Sequence, residues 1–255
     1  MKTCSILGCG WLGLPLAKHL IAKGVKVYGS TTSKSKLDIL KSNNIVPFLI
    51  NIDDAIVESD FFKTDVLIIM ITSKNTEAFK RLIHQIEKSD INKIIFISST
   101  SVYDANNSEV SENQQTNDGP LANIERLFIN NTNFKTTILR FAGLIGGERH
   151  PGNWFENKAI PQPKGFVNMI HRDDCIAIIT QIIKDNVFGE IFNACVNHHP
   201  TRSEFYTKAN LSLSKPLPVF KNEENLVYKI INPDKLINTL KYQFIHQDLL
   251  DFNAI

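Results

Sequence analysis

The stretch Cys4-Ser5-Ile6-Leu7-Gly8-Cys9-Gly10-Trp11-Leu12-Gly13-Leu14-Pro15-Leu16-Ala17 decides how the rest of this chain is read. Cys4 to Leu7 is a short apolar run of strand character, and Leu16, Ala17, Leu20 and Ile21 repeat at helical spacing up to a stop at Gly24. Between them stands Gly-x-Gly-x-x-Gly. In that position Gly8 permits a tight turn, Gly10 lets a phosphate approach the backbone, and Gly13 lets helix and strand pack closely. Pro15 falls in the first helical turn, where its missing N–H costs no hydrogen bond. The amides and partial positive charge of the helix N-terminus complete an anion cradle. Gly8, Cys9, Gly10, Trp11, Leu12 and Gly13 are therefore expected to hold the pyrophosphate of a nicotinamide dinucleotide.

Similar β-rich apolar runs recur at Val25 to Gly29, Val46 to Ile50, Val66 to Ile71, Ile94 to Ile97 and Thr137 to Phe141, with segments of helical character between them. That alternation predicts an α/β fold, a Rossmann doubly wound parallel sheet covered on both faces. Residues 142–165 are rich in Gly and Pro, hold apolar fragments too short to count as elements, and read as a long loop over a site. Asn168 to His171 reads as a short strand, Arg172 to Lys184 as a helix and Glu190 to Ala194 as a further strand. From Pro200 the pattern weakens to a short helix from Ser203, a segment broken by Pro216 and Pro218, and a last helix opened by Asn232 with Pro233 at its first position. The expected organisation is a dinucleotide-binding core over residues 1–165, continued by 171–194. Residues 195–255 form a small C-terminal substrate lobe, with loop 142–170 contributing to the site.

Composition narrows the function classes. Lys and Arg total 28 against 26 acids, a formal charge of +2, and no single-sign run supplies the electrostatic footprint of a nucleic-acid binder. No stretch approaches the roughly 18 uninterrupted apolar residues of a membrane span. Cys4, Cys9, Cys175 and Cys195 form no Cys-x-x-Cys pair and no metal-ligand spacing with histidine, so they read as buried thiols in a reducing compartment, and no metal is expected. The apolar run after Lys2 superficially resembles a signal peptide, but three glycines and Pro15 interrupt it. A soluble, cytoplasmic protein with a small-molecule substrate is expected, and a homodimer is left open.

Cofactor choice should be legible at the end of the second strand, where a carboxylate would hold the ribose 2′-hydroxyl of NAD. The chain has Ser30, Thr31, Thr32, Ser33 and Lys34 there, with no acid before Asp38. Hydroxyls and lysines accept a 2′-phosphate, so NADP is read as preferred over NAD. The plainer alternative is a polar loop capping the second helix.

Beyond the glycine turn, several blocks follow in a fixed order. They are Val66 to Thr72, Ile97-Ser98-Ser99-Thr100-Ser101-Val102-Tyr103, Arg140-Phe141-Ala142-Gly143-Leu144-Ile145-Gly146, Asn168-Met169-Ile170-His171-Arg172-Asp173-Asp174 and Gly189-Glu190-Ile191-Phe192-Asn193. Together they resemble the extended short-chain dehydrogenase/reductases, the NAD(P)-dependent epimerase/dehydratase family, and within it the shorter atypical members. The resemblance implies that Ser99 hydrogen-bonds the reacting carbonyl or hydroxyl, with Thr100 and Ser101 lining the same pocket. It also places Thr72 and Ser98 against the cofactor and Asp53 at the adenine, although Asp53 serves equally well as a helix cap.

The family's Tyr-x-x-x-Lys, its proton donor and the lysine that tunes it, is absent. Aligned on Glu125-Arg126-Leu127, Asn117 stands at the tyrosine and Leu121 at the lysine. Asparagine exchanges no proton near neutral pH. Tyr103 and His150 are the candidates to replace it, each with a structural alternative. His171 is expected to bond Asp173 or Asp174, and His198 and His199 read as loop residues. Two functions remain open: an oxidoreductase or epimerase/dehydratase-like enzyme acting on a small polar, nucleotide-sugar-like substrate, and a non-catalytic NADP(H)-binding redox sensor or regulatory module.

Overall fold

A computed structural model of the chain describes residues 2–54, 59–222 and 225–252. The first half alternates strand and helix: β1 (Thr3–Leu7), α1 (Gly13–Ala22), β2 (Lys26–Thr31), α2 (Leu37–Ser42), β3 (Val46–Leu49), β4 (Val66–Ile69), α3 (Thr76–Glu87) and β5 (Lys93–Ser99). The strands take residues whose branched or apolar side chains suit burial on both faces, as in Val66-Leu67-Ile68-Ile69, all buried. The helices carry one apolar face. In α3 it is Ala78, Phe79, Leu82, Ile83 and Ile86, behind an Asn75 side chain that accepts the Ala78 N–H and caps the helix.

The chain continues through β6 (Glu109–Val110), α4 (Pro120–Ile129), β7 (Lys135–Phe141), β8 (Gly143–Ile145), β9 (Met169–His171), α5 (Arg172–Asp185), β10 (Ile191–Ala194), α6 (Arg202–Ser212), β11 (Ile230–Ile231) and α7 (Asp234–Leu240). Seven strands form one parallel sheet in the order β10-β7-β5-β4-β1-β2-β3. The order reverses beside β1, which pairs with β2 through Ile6 and Gly29 and with β4 through Ile6 and Ile68. In doubly wound sheets the crevice for a ligand opens at such a reversal, beyond the carboxyl ends of the strands.

The backbone divides into two compact units, residues 1–98, 118–139 and 176–191 in the first and residues 99–117, 140–175 and 192–255 in the second. The first unit has its core where β1, β4, α3 and α4 meet. There Phe128, 1% exposed, stacks on Phe96 at 4.8 Å and meets Phe79 edge-on at 6.1 Å. Full burial of each such ring contributes roughly 1.5–3 kcal/mol, and well-oriented pairs add about 0.5–1.5. The second unit is built from short strands and capped helices. Its strands pair two by two, β8 with β9 and β6 with β11, and α6 opens on a capping box between Thr201 and Glu204.

Two sequence expectations change. The segment 142–165 contains a strand, Gly143–Ile145, because Gly143 packs against Met169 too closely for a Cβ and lets β8 run beside β9. The last helix starts at Asp234 rather than Pro233, with the Asn232 side chain accepting the Asp234 N–H at 2.7 Å. In the grouping by contact, residues 99–117 and 140–175 fall together with residues 192–255. No helix among the described residues is long and apolar enough to cross a membrane.

Candidate cofactor and active site

The glycine turn follows β1 directly. Gly8 has φ +105°, a conformation L side chains rarely adopt, and a Cβ there would lie 2.9 Å from the Met70 carbonyl oxygen. Ser30, buried in β2, fixes the turn twice: its hydroxyl accepts the Gly8 N–H at 3.0 Å and its carbonyl the Cys9 N–H at 2.9 Å. A Cβ on Gly13 would come within 2.3 Å of the Gly8 carbonyl, so helix and turn touch backbone to backbone. Gly10 differs. Nothing lies within 4 Å of its Cβ position and its φ is not positive, so the fold itself would accept a side chain there. A glycine that neither strain nor packing requires is explained by a ligand that must come close, and the N-terminal amides of α1 supply the donors. The residues present thus fit a dinucleotide pyrophosphate. Cys9 contributes backbone only, since its thiol lies buried near the Ile6 carbonyl and burial pushes its pKa up to about 12. Leu12 is buried at the helix N-cap and Trp11 is half-buried beside it.

Beyond β2, Thr31 accepts the Ser33 N–H at 3.1 Å, and the Ser33 hydroxyl meets Ser35 at 2.8 Å. Lys34 opens a single 3-10 turn, Lys34–Lys36, that carries no acid. After β3, Asp53 accepts a 2.7 Å hydrogen bond from the Asn75 side chain, and Arg81 donates to its carbonyl at 3.2 Å. Asp53 is therefore tied to the cap of α3 while remaining exposed. Thr72, after β4, is exposed, and Ser98 in β5 is buried with its hydroxyl donated to Glu125 of α4.

The second unit holds the turn that begins at the end of β5. Ser99 accepts the Ser101 N–H at 3.1 Å, capping a 3-10 turn over Thr100–Val102. Asn117 braces this turn, donating from its backbone to the Val102 carbonyl at 2.8 Å and from its side chain to Ser101 O at 3.2 Å and Asp104 at 3.3 Å. Tyr103 is buried and engaged twice: its hydroxyl donates to Asn193 at 2.9 Å and accepts from Arg140 at 2.6 Å, and burial raises its pKa. A phenol so held has structural work. Lys229, which sequence reasoning passed over, reaches the same turn from the C-terminal region, donating to the carbonyls of Thr100, at 2.9 Å, and of Tyr103. Burial lowers its pKa. No spacing rule joins residues 100 and 229, so only the fold reveals it.

His150 also has partners within the second unit. Its Nδ1 accepts the Gly152 N–H at 3.2 Å, its Nε2 lies 3.3 Å from the Ser212 hydroxyl, and its ring packs on Phe252 at 5.3 Å. His198 accepts the Leu249 N–H at 3.1 Å, and His199 lies 3.2 Å from the Val167 carbonyl. Elsewhere, a cleft of 830 Å³ in the first unit is lined by Lys2, Lys63, Asp65 and Lys93, at the amino ends of β1, β4 and β5. That is the wrong edge of a parallel sheet for a dinucleotide.

The comparisons with known proteins agree with this geometry. A family model described as NAD(P)H-binding matches residues 8–186. Protein YeeZ of Escherichia coli K12 is 33% identical over 98% of both chains. Among solved structures, a conserved protein of unknown function from Silicibacter pomeroyi superposes with a TM-score of 0.83 at 16% identity, covering 98% of this chain and 96% of its own. The UDP-glucuronic acid 4-epimerase from Bacillus cereus, solved in complex with NAD, superposes with a TM-score of 0.77 at 16% identity, covering 98% and 95%. The cradle at Gly8, Gly10 and Gly13, the matched family model and the full-length relative place this chain in the NAD(P)H-binding family, with the fold of the NAD-dependent epimerase/dehydratases.

Proposed function

We propose that this protein is an NAD(P)-dependent enzyme of epimerase/dehydratase or oxidoreductase type, acting on a small polar substrate of nucleotide-sugar character, with NADP the preferred cofactor. The observation that carries the reading is Gly10, open on its ligand side while Gly8 and Gly13 are closed by backbone. Gly8, Gly10, Gly13 and the first amides of α1 would hold the pyrophosphate. Thr31, Thr32, Ser33 and Lys34 would receive a 2′-phosphate where no carboxylate repels it. When bound, the nicotinamide supplies hydride exchange. Ser99 and Thr100 orient the reacting oxygen by hydrogen bonding, with Ser101 beside them. Lys229 is the ionisable side chain that the fold anchors on this turn in place of the missing tyrosine. Burial lowers its pKa from the ordinary lysine range, the direction that a proton-exchanging role requires. Tyr103 and His150 are read as structural.

The second reading, a non-catalytic NADP(H) sensor, is favoured by Asn117 and Leu121 at the positions of the usual tyrosine and lysine. Incubation with NADP or NAD and a panel of UDP- and dTDP-sugars separates the two. Reduced nicotinamide is followed by absorbance and sugar products by chromatography. A new sugar product is expected, whereas tight cofactor binding with no product from any sugar would favour the sensor.

A further inference from the structure

The C-terminal unit brings together a donor set that neither the glycine turn nor the Ser99 turn uses. His171 ends β9, Asp173 lies in the first turn of α5, and His246 follows α7, yet one ligand-type atom from each lies within 4.8 Å of the others. The two imidazoles face each other with ring centroids 3.7 Å apart. Asp173 Oδ2 sits between them, 3.5 Å from His171 Nδ1 and 3.3 Å from His246 Nε2. Asp173 Oδ2 thus partners both rings, through a long hydrogen bond with His246 Nε2 and a longer ion pair with His171 Nδ1, against the about 2.7–2.9 Å usual for charge-assisted hydrogen bonds. These two separations are close to the edge of a tetrahedral site. Ligands at about 2.0–2.1 Å from a zinc ion lie roughly 3.3–3.4 Å from one another.

The site is also pre-arranged. Buried Asp174 accepts hydrogen bonds from the Tyr242 hydroxyl at 2.7 Å, the Ile245 N–H at 2.7 Å and the His246 N–H at 3.2 Å, which fixes the backbone that carries His246. Gly146 packs directly against His171 Nε2, where a Cβ would lie 2.1 Å away, so the ring presents Nδ1 to Asp173. That atom accepts only a 3.2 Å contact from the Asp173 amide, which a metal would replace. The His171 and His246 side chains are 6% and 12% exposed, but that of Asp173 is 53% exposed, leaving one side open for entry and for water.

We propose that His171, Asp173 and His246 bind a first-row divalent cation of the zinc class, with water completing the coordination. Two imidazoles and one carboxylate suit such an ion rather than magnesium or calcium. Bound there, it clamps the segment after α7 onto the start of α5. The full-length, untagged protein, stripped with a chelator, is titrated with Zn²⁺ by calorimetry and with Co²⁺ by visible absorption. One equivalent should bind, Co²⁺ should develop the intense d–d bands of a four-coordinate site, and Asp173→Asn and His246→Gln should each weaken Zn²⁺ binding at least about tenfold. His198→Gln, outside the site, should leave it unchanged. Asp173 is the most exposed of the three ligands, so its variant tests the site without burdening the fold. Equal affinity in the parent and Asp173→Asn, or no saturable binding by the parent, would overturn the site.

Discussion

At Gly13 and Gly10 the same substitution has opposite expected consequences. Gly13→Ala drives a Cβ to 2.3 Å from the Gly8 carbonyl and should lower the unfolding midpoint clearly, whereas Gly10→Ala meets nothing within 4 Å and should leave it within about 0.5 kcal/mol of the parent. Chemical denaturation followed by circular dichroism checks both. Tyr103→Phe removes the hydroxyl that joins Arg140 to Asn193, at a cost of about 1–3 kcal/mol in stability. Its turnover per folded molecule should stay within about tenfold, because a phenol so engaged is not the proton donor. Ser99→Ala should lose more than that. Lys229→Met should lower kcat by roughly 10²- to 10⁴-fold, the contribution of a positioned acid/base. If neutral Lys229 accepts the proton during oxidation, the rate rises with pH through its lowered pKa, and Lys229→Arg flattens that limb. An unshifted profile in Lys229→Arg would remove Lys229 from the chemistry.

Among the elements, α4 is the most exacting to test, because Phe128 lies between Phe79, Phe96 and Phe134. Phe128→Ala should cost about 3–5 kcal/mol, read as a fall in the denaturant midpoint with an unchanged slope. The sheet strands were legible in the sequence because runs such as Val66 to Ile71 are continuously apolar and bounded by polar residues, here Asp65 and Thr72. Of the small strands only β9 was. Glu109–Val110 and Ile230–Ile231 are two residues each, too short for any periodicity, and β8 exists because β9 lies beside it. The glycine turn was legible because it is a local motif between a strand and a helix. Lys229 at the Thr100 turn and His246 beside His171 were hidden, since tertiary folding alone joins residues so distant in the chain.

For the molecule as a whole, burial lowers the pKa of His150, His171 and His199, with the charges of Lys215, His246 and His198 acting in the same direction. A histidine kept neutral in the fold costs nothing above its unfolded pKa, near 6.5. As pH falls through and below that value the unfolded chain takes up protons that the folded chain refuses, and stability is lost. The urea midpoint should therefore decline from pH 7 to pH 5, and a flat profile would show that these rings titrate normally. Function at this scale rests on the glycine cradle accepting a nicotinamide dinucleotide. Calorimetric titration of the parent and Gly10→Val with NADPH, NADP, NADH and NAD tests it most directly. The parent should bind, with the phosphorylated forms tighter, and Gly10→Val should fold normally and bind none of the four. Equal affinities in parent and variant, or no binding by the parent, would contradict the assignment.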